Sequence, residues 1–307
     1  MSVASRERLR QLLEGPRPDL AEANLLIATE AYPKLDVGRW LGRVQHLADE
    51  ALRTGGGVDA VGMVLRDDGL RGDRSTYDDP RNSYLHEVLD RRTGLPIALS
   101  ALTVAVAARA GYELHPVALP GHVIVVDLSG PGARYLDPFD DWTERTIDEC
   151  RAIVASAAGV ALTREHVAPT PHAVVIRRML VNLTGSYLRR ELYGDLTKLE
   201  RRISLLQDLD DAEEAGRGVG LDRREPRETR SLHEETRARR LRARDLGRGH
   251  RDHRRGQCLH GQNLWPRPRV RLLADPGHVD GLLCGRLALP VAARRRLHVV
   301  LRLVLRP

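Results

Sequence analysis

Residues 77–141 read YDDPRNSYLHEVLDRRTGLPIALSALTVAVAARAGYELHPVALPGHVIVVDLSGPGARYLDPFDD. Within this stretch the hydrophobic period changes twice. In LHEVLDRRTG, Leu85, Val88 and Leu89 share one helical face, and Gly94 stands where a C′ glycine closes a helix. Pro96 follows, at the first position of a new helix, where its fixed φ and missing N–H cost nothing. PIALSALTVAVAARAG is apolar nearly all round, which predicts a helix buried on most sides and ended by Gly111. ELHPVALP, GHVIVVDL and ARYLDPF are short, β-branched and broken by Pro and Gly, the marks of strands. Gly130-Pro131-Gly132 predicts a hairpin-type turn. A buried helix followed by short antiparallel strands is an α+β core.

Outward from this centre the chain is helical. Residues 19–31 and 36–53 repeat apolar residues at helical spacing. The second stretch puts Trp40, Val44, Leu47 and Leu52 on one broad face, with Asp36 as N-cap. Residues 58–65 predict a short helix, and 66–81 a polar, turn-rich connection. On the C-terminal side 144–156 and 172–207 are predicted helical. The expected organisation is a helical lead over 1–75, a core over 76–168, a helical pair over 172–210 and a tail over 211–307.

The tail differs in kind. Residues 1–210 hold 26 Lys+Arg against 30 Asp+Glu, a balance of −4, whereas 211–307 hold 23 against 12, a balance of +11. Phe, Tyr, Met, Ile, Asn and Lys together number 23 before residue 211 and one, Asn263, after it. A loss of AT-rich codons with a gain of Arg fits translation of a shifted frame in a GC-rich gene, the preferred reading, or an Arg-rich arm. Either way, nucleic-acid binding is expected only non-specifically, through this basic segment. His250, His253, Cys258 and His260 lie in it with no standard zinc spacing, so no metal site is expected. Three cysteines are no disulfide framework. The charged start carries no signal region, and the longest apolar run, Leu95–Ala108, is too short to span a membrane. A cytoplasmic protein is the expectation. No phosphate-binding glycine loop or dinucleotide fingerprint occurs, so no cofactor is expected.

DPRNSYLHEVLDRRTGLPIALS, followed by LPGHVIVVDL and YLDPF, resembles the SirB-type branch of the transglutaminase-like superfamily. PKLDV at 33–37 and the helix-rich lead are similar as well. The resemblance implies a papain-like core and, after it, a tetratricopeptide-like segment, echoed by Asn182-Leu183, Tyr187 and Tyr193-Gly194-Asp195. One such pair cannot bury its own apolar face, so a plain helical hairpin against the core is the competing reading. The superfamily's enzymes use a thiol at the head of the buried helix, a His on the next strand and an Asp on the one after. The helix dipole stabilises the thiolate, the His takes its proton and the Asp orients the His. Carried over, the His is His122, the Asp is Asp137, and the thiol position falls close to Pro96, where no cysteine stands. The nearest hydroxyl is Ser100, one turn further in, and Cys150 lies beyond the Asp strand.

Two roles are open for His122 and Asp137: a retained dyad that binds or activates a ligand, or a hydrogen-bonded pair that locks two strands together. Gly121 has a plain use as a close backbone approach or a positive-φ residue. Asn82 or Ser83 is expected to cap the helix that follows. Arg81, Tyr84 and Glu87, which capping does not need, are candidate binding residues. The functional expectation is a non-catalytic module that binds a protein or peptide. The alternative is a hydrolase or acyltransferase that uses the His–Asp pair with a nucleophile not identified from the sequence.

Overall fold

The computed structural model describes residues 1–190. The chain divides into two compact units, Met1–Arg217 and Gly218–Pro307. All described residues belong to the first. The predicted second helix of the 172–207 stretch, the Arg-rich tail and its His and Cys residues lie outside the described residues.

Four helices open the chain: α1 (Val3–Leu13), α2 (Leu20–Ala28), α3 (Val37–Thr54) and α4 (Val58–Asp67). α1 was not expected. Ser2 caps it by accepting the Ser5 N–H, and only Leu9 is buried, so its apolar signal is thin. Asp19 and Asp36 cap α2 and α3 through backbone N–H groups of the first turn. α3 buries Val44, Leu47, Ala48 and Ala51, while Leu52 is 59% exposed. The buried stripe thus turns through the alanines, and small residues let α3 approach α4 and the central helix closely.

A short parallel pair joins β1 (Arg71–Gly72) to β2 (Thr93–Gly94). Between them lie a 3₁₀ turn at Pro80–Ser83 and α5 (Leu85–Arg91). Gly94 does not close α5. Arg92 takes the left-handed position at φ 61°, and Gly94 pairs in β2. Its missing side chain serves packing, since a Cβ there would meet Val88 Cγ1 at 2.9 Å.

α6 (Pro96–Arg109) is the axis of the fold. Every residue from Pro96 to Ala107 is buried. Around it close α2, α3, α4 and the four-stranded antiparallel sheet β3 (His115–Val117), β4 (Ile124–Asp127), β5 (Arg134–Asp137) and β6 (Thr143–Arg145), in that order. β6 departs from the sequence pattern, which starts the next helix at Glu144. That helix, α7 (Ile147–Ala158), starts after a capping box between Thr146 and Glu149. Residues of β4 and the one before it alternate: Val123 and Val125 join the large core, whereas Ile124 and Val126 join a second cluster with Cys150 and Val154 of α7. α8 (His172–Arg189) closes the described structure by packing Val175, Ile176, Met179, Leu180 and Leu183 on the large core.

Candidate functional site

β4 and β5 are neighbours, and their geometry joins the two residues the sequence singled out. His122, just before β4, and Asp137, the last residue of β5, are 5% and 2% exposed. His122 Nε2 lies 3.0 Å from Asp137 Oδ1, which also accepts the Phe139 N–H at 3.1 Å. Arg145 Nη2 approaches Asp137 Oδ2 at 3.4 Å and binds Asp140 as well. Burial alone would raise the Asp137 pKa. The His122 hydrogen bond and charge, the Arg145 guanidinium and the Phe139 N–H outweigh it and hold the carboxyl below its ordinary value.

The approach to His122 is set by glycines. Gly121 has φ +78°, and a Cβ there would lie 2.6 Å from the Ala157 Cβ, so positive φ and a close approach to α7 coincide. Gly72 leaves room for Phe139: a Cβ there would fall 2.4 Å from its carbonyl oxygen. The Phe139 ring then meets His122 edge-on at 5.9 Å and Tyr77 at 6.1 Å.

A cavity of about 100 Å³ opens at the head of α6, bounded by Pro96, Ile97, His122 and the α8 side chains Arg178 and Asn182. No Ser, Thr or Cys lines it. Ser100, the nearest hydroxyl in sequence, is fully buried and donates to the Val123 carbonyl at 3.0 Å. Cys150 is buried among Val117, Leu119, Ile124 and Val126 on the α7 side of the sheet. Burial, with the nearby Asp137 charge, pushes its pKa up to about 11, which disfavours the thiolate. No group of three or more His, Cys, Asp or Glu able to hold a metal exists among the described residues.

Arg81, Tyr84 and Glu87 stand apart from this cavity. Arg81 pairs with Asp79 through Nε and Nη2, at 3.0 and 2.6 Å. Tyr84 is buried, its hydroxyl 3.2 Å from that of Tyr187 on α8. Glu87 accepts the Tyr32 hydroxyl at 2.8 Å. Neither Asn82 nor Ser83 caps α5. Asn82 is enclosed in a loop hub, donating to Asp73 Oδ2 and the Thr76 carbonyl and accepting from Arg91. The cap comes from α2: Asn24 Oδ1 accepts the Leu85 N–H at 2.7 Å, while its Nδ2 donates to the Ser83 carbonyl at 2.9 Å. Asn24 carries a sequence signal only in hindsight, as a polar residue within the apolar run LAEANLLIA. Arg178 and Asn182 were likewise missed, since nothing local marks a helix face that turns toward a cavity.

Comparison with known proteins agrees with this architecture. Residues 39–181 match the family model described as the Transglutaminase-like superfamily. A UPF0162 protein of Xylella fastidiosa (strain 9a5c) is 30% identical over 200 residues, 60% of this chain and 70% of the relative. F-box only protein 21 of Mus musculus is 30% identical over 161 residues, 49% of this chain and 24% of the relative. A UPF0162 protein of Vibrio cholerae is 30% identical over 129 residues, 41% of this chain and 47% of the relative. No solved structure matches the chain. The chain belongs to the transglutaminase-like superfamily. No helix of the described residues is long and apolar enough to cross a membrane.

Proposed function

We propose that this protein is a non-hydrolytic member of the superfamily that binds a protein or peptide at the head of α6. The observation that carries the reading is the composition of the cavity beside His122. Pro96 stands where the superfamily's enzymes place a thiol, and no Ser, Thr or Cys lines the space. A nucleophile must reach the reacting carbon and lie within hydrogen-bond reach of its base. Ser100 is held by Val123 and Cys150 is on the other side of the sheet, so neither serves. His122 and Asp137 then act in the architecture, fixing the cavity wall. Arg81, half exposed beside the buried Tyr84, is the accessible member of a second patch that a partner could meet.

The test is a turnover assay on the full chain with p-nitrophenyl acetate and with a glutamine-containing peptide plus a primary amine. The expected result is no turnover that His122→Ala removes. A His122-dependent rate would overturn the reading and favour a hydrolase or acyltransferase whose nucleophile is still to be found.

A further inference from the structure

The cavity beside His122 has a charge that no carboxylate of the described residues balances. Arg178, on α8, is partly buried on its wall. Its Nη1 donates to the Leu119 carbonyl at 2.7 Å, and among the described residues no carboxylate lies within salt-bridge distance of it. A guanidinium has five N–H donors in a planar fork, so one neutral carbonyl leaves most of the fork unused. Burial pulls the Arg178 pKa down and, among the described residues, only Tyr77 opposes this, as expected of a cation short of counter-charge.

The neighbours point the same way. Asn182 is one turn along from Arg178, and Arg189 two further turns along, on one stripe of α8 that lines the cavity. Arg189 is already paired with Asp78 at 2.5 Å. His122 is committed to Asp137. α6 starts at the opposite wall with Leu95 as N-cap and no side-chain cap bond, so its positive dipole end is not offset there by a side chain. Arg189 has its carboxylate, so among the described residues lining the cavity Arg178 is the guanidinium left without one. A singly charged carboxylate matches it better than a phosphate dianion. The volume suffices: one water needs on the order of 10–15 Å³, and the cavity has about 100 Å³.

We infer that this cavity is a carboxylate-binding site, in which Arg178 and Asn182 receive the carboxylate of a peptide ligand. The inference rests on the binding reading above and supplies the chemistry of its ligand. Two sources share that chemistry, a C-terminal α-carboxylate and an Asp or Glu side chain.

The experiment titrates the full chain with N-acetyl-Ala-Ala-Ala as the free acid, with its C-terminal amide, with N-acetyl-Glu N-methylamide and with inorganic phosphate. Binding is followed by calorimetry or by NMR shifts of the His122 ring. The acid is expected to bind at least tenfold tighter than the amide. Binding of the glutamate derivative would assign the site to acidic side chains as well, and its failure would restrict it to chain ends; both outcomes support the inference. Arg178→Gln is expected to weaken the acid at least tenfold, and Arg178→Lys, which keeps the charge but loses the fork, by less. Equal binding of acid and amide with no binding of the glutamate derivative, tighter binding of phosphate, or a folded Arg178→Gln with unchanged affinity would overturn it. The acid–amide comparison needs only the wild-type chain, so an unfolded variant does not remove the test. Cleavage of the peptide during titration would sink the non-hydrolytic reading instead. An intact acid and an intact glutamate derivative that both fail to bind would sink this inference alone.

Discussion

Asp137 Oδ1 accepts from both His122 and the Phe139 backbone N–H, at 3.0 and 3.1 Å, so one carboxylate oxygen ties the start of β4 to the turn after β5. Replacing it by Asn keeps the shape and removes the charge. Asp137→Asn is expected to cost about 2 kcal/mol in urea unfolding, the scale for charged hydrogen bonds and an imperfectly satisfied buried group. The sign with pH follows from the lowered pKa. The carboxylate's contribution is fully present above the unfolded value of about 3.9 and is lost as pH falls through the folded one. The variant should therefore show a shallower acid limb than the wild type. An unchanged limb would mean that Asp137 is not held as an anion by the fold.

Gly121 combines two constraints that can be separated. Gly121→Ala must place a Cβ 2.6 Å from that of Ala157 and hold an L residue at φ +78°. Backbone strain of this kind costs about 1–3 kcal/mol, and overpacking adds about 1–3 kcal/mol. The double variant Gly121→Ala/Ala157→Gly relieves most of the second, the Ala157 carbonyl carbon still lying 3.2 Å away, and none of the first. Chemical denaturation should show partial rescue. Complete rescue would remove the conformational argument, and none would remove the steric one.

Asn24 is the cap that α5 does not carry itself. Asn24→Ala leaves the Ser83 carbonyl and the Leu85 N–H without their buried partner. Each unsatisfied buried group costs about 1–3 kcal/mol, so a loss of about 3 kcal/mol is expected. Hydrogen exchange should show the Leu85 amide opening far more readily than those of α6. Protection of Leu85 equal to wild type would show that another acceptor replaces Asn24.

These cases show what was legible in the sequence. Apolar run and strand alternation give α6 and β3 to β5 directly, because both are local periodicities, and the α+β core follows. The His122–Asp137 pair was legible through the resemblance, since each sits in a short motif. What failed were choices made across distance. Arg92, and not Gly94, takes the left-handed position, because Gly94 is drawn into the parallel pairing with Gly72 of β1. Asn82 turns inward to Asp73 and Thr76, which leaves the cap to Asn24 of α2, 61 residues before Leu85. Arg178 belongs to a helix read only by its apolar face, and a cavity wall has no period of its own.

Cys150 offers a check on the chemistry that the fold excludes. It is fully buried, and its pKa stands at about 11. Iodoacetamide at pH 8, followed by mass-spectrometric mapping of the Cys150 peptide, should show almost no labelling of the native chain and full labelling in denaturant. Rapid native labelling would place a reactive thiol beside Asp137 and reopen the search for a nucleophile.

His86 and His172 add a pH dependence of their own. His86 is packed edge-on against Tyr32 at 4.3 Å, and neither of its ring nitrogens has a hydrogen-bond partner among the described residues. His172 Nδ1 donates to the Pro18 carbonyl at 2.7 Å, which assigns its proton. Burial lowers both pKa values, against Glu87 and Asp90 for His86 and against the Pro18 hydrogen bond for His172. The unfolded chain thus binds these protons more readily than the folded one. Stability is fully present above the unfolded value of about 6.5 and declines as pH falls below it. His86→Phe keeps an aromatic ring against Tyr32 and removes one of the two titrations. Urea midpoints measured between pH 7.5 and 5 should fall less steeply for this variant than for wild type. Equal slopes would mean that His86 ionises in the folded protein as it does in the unfolded one, and would move the acid sensitivity to His172.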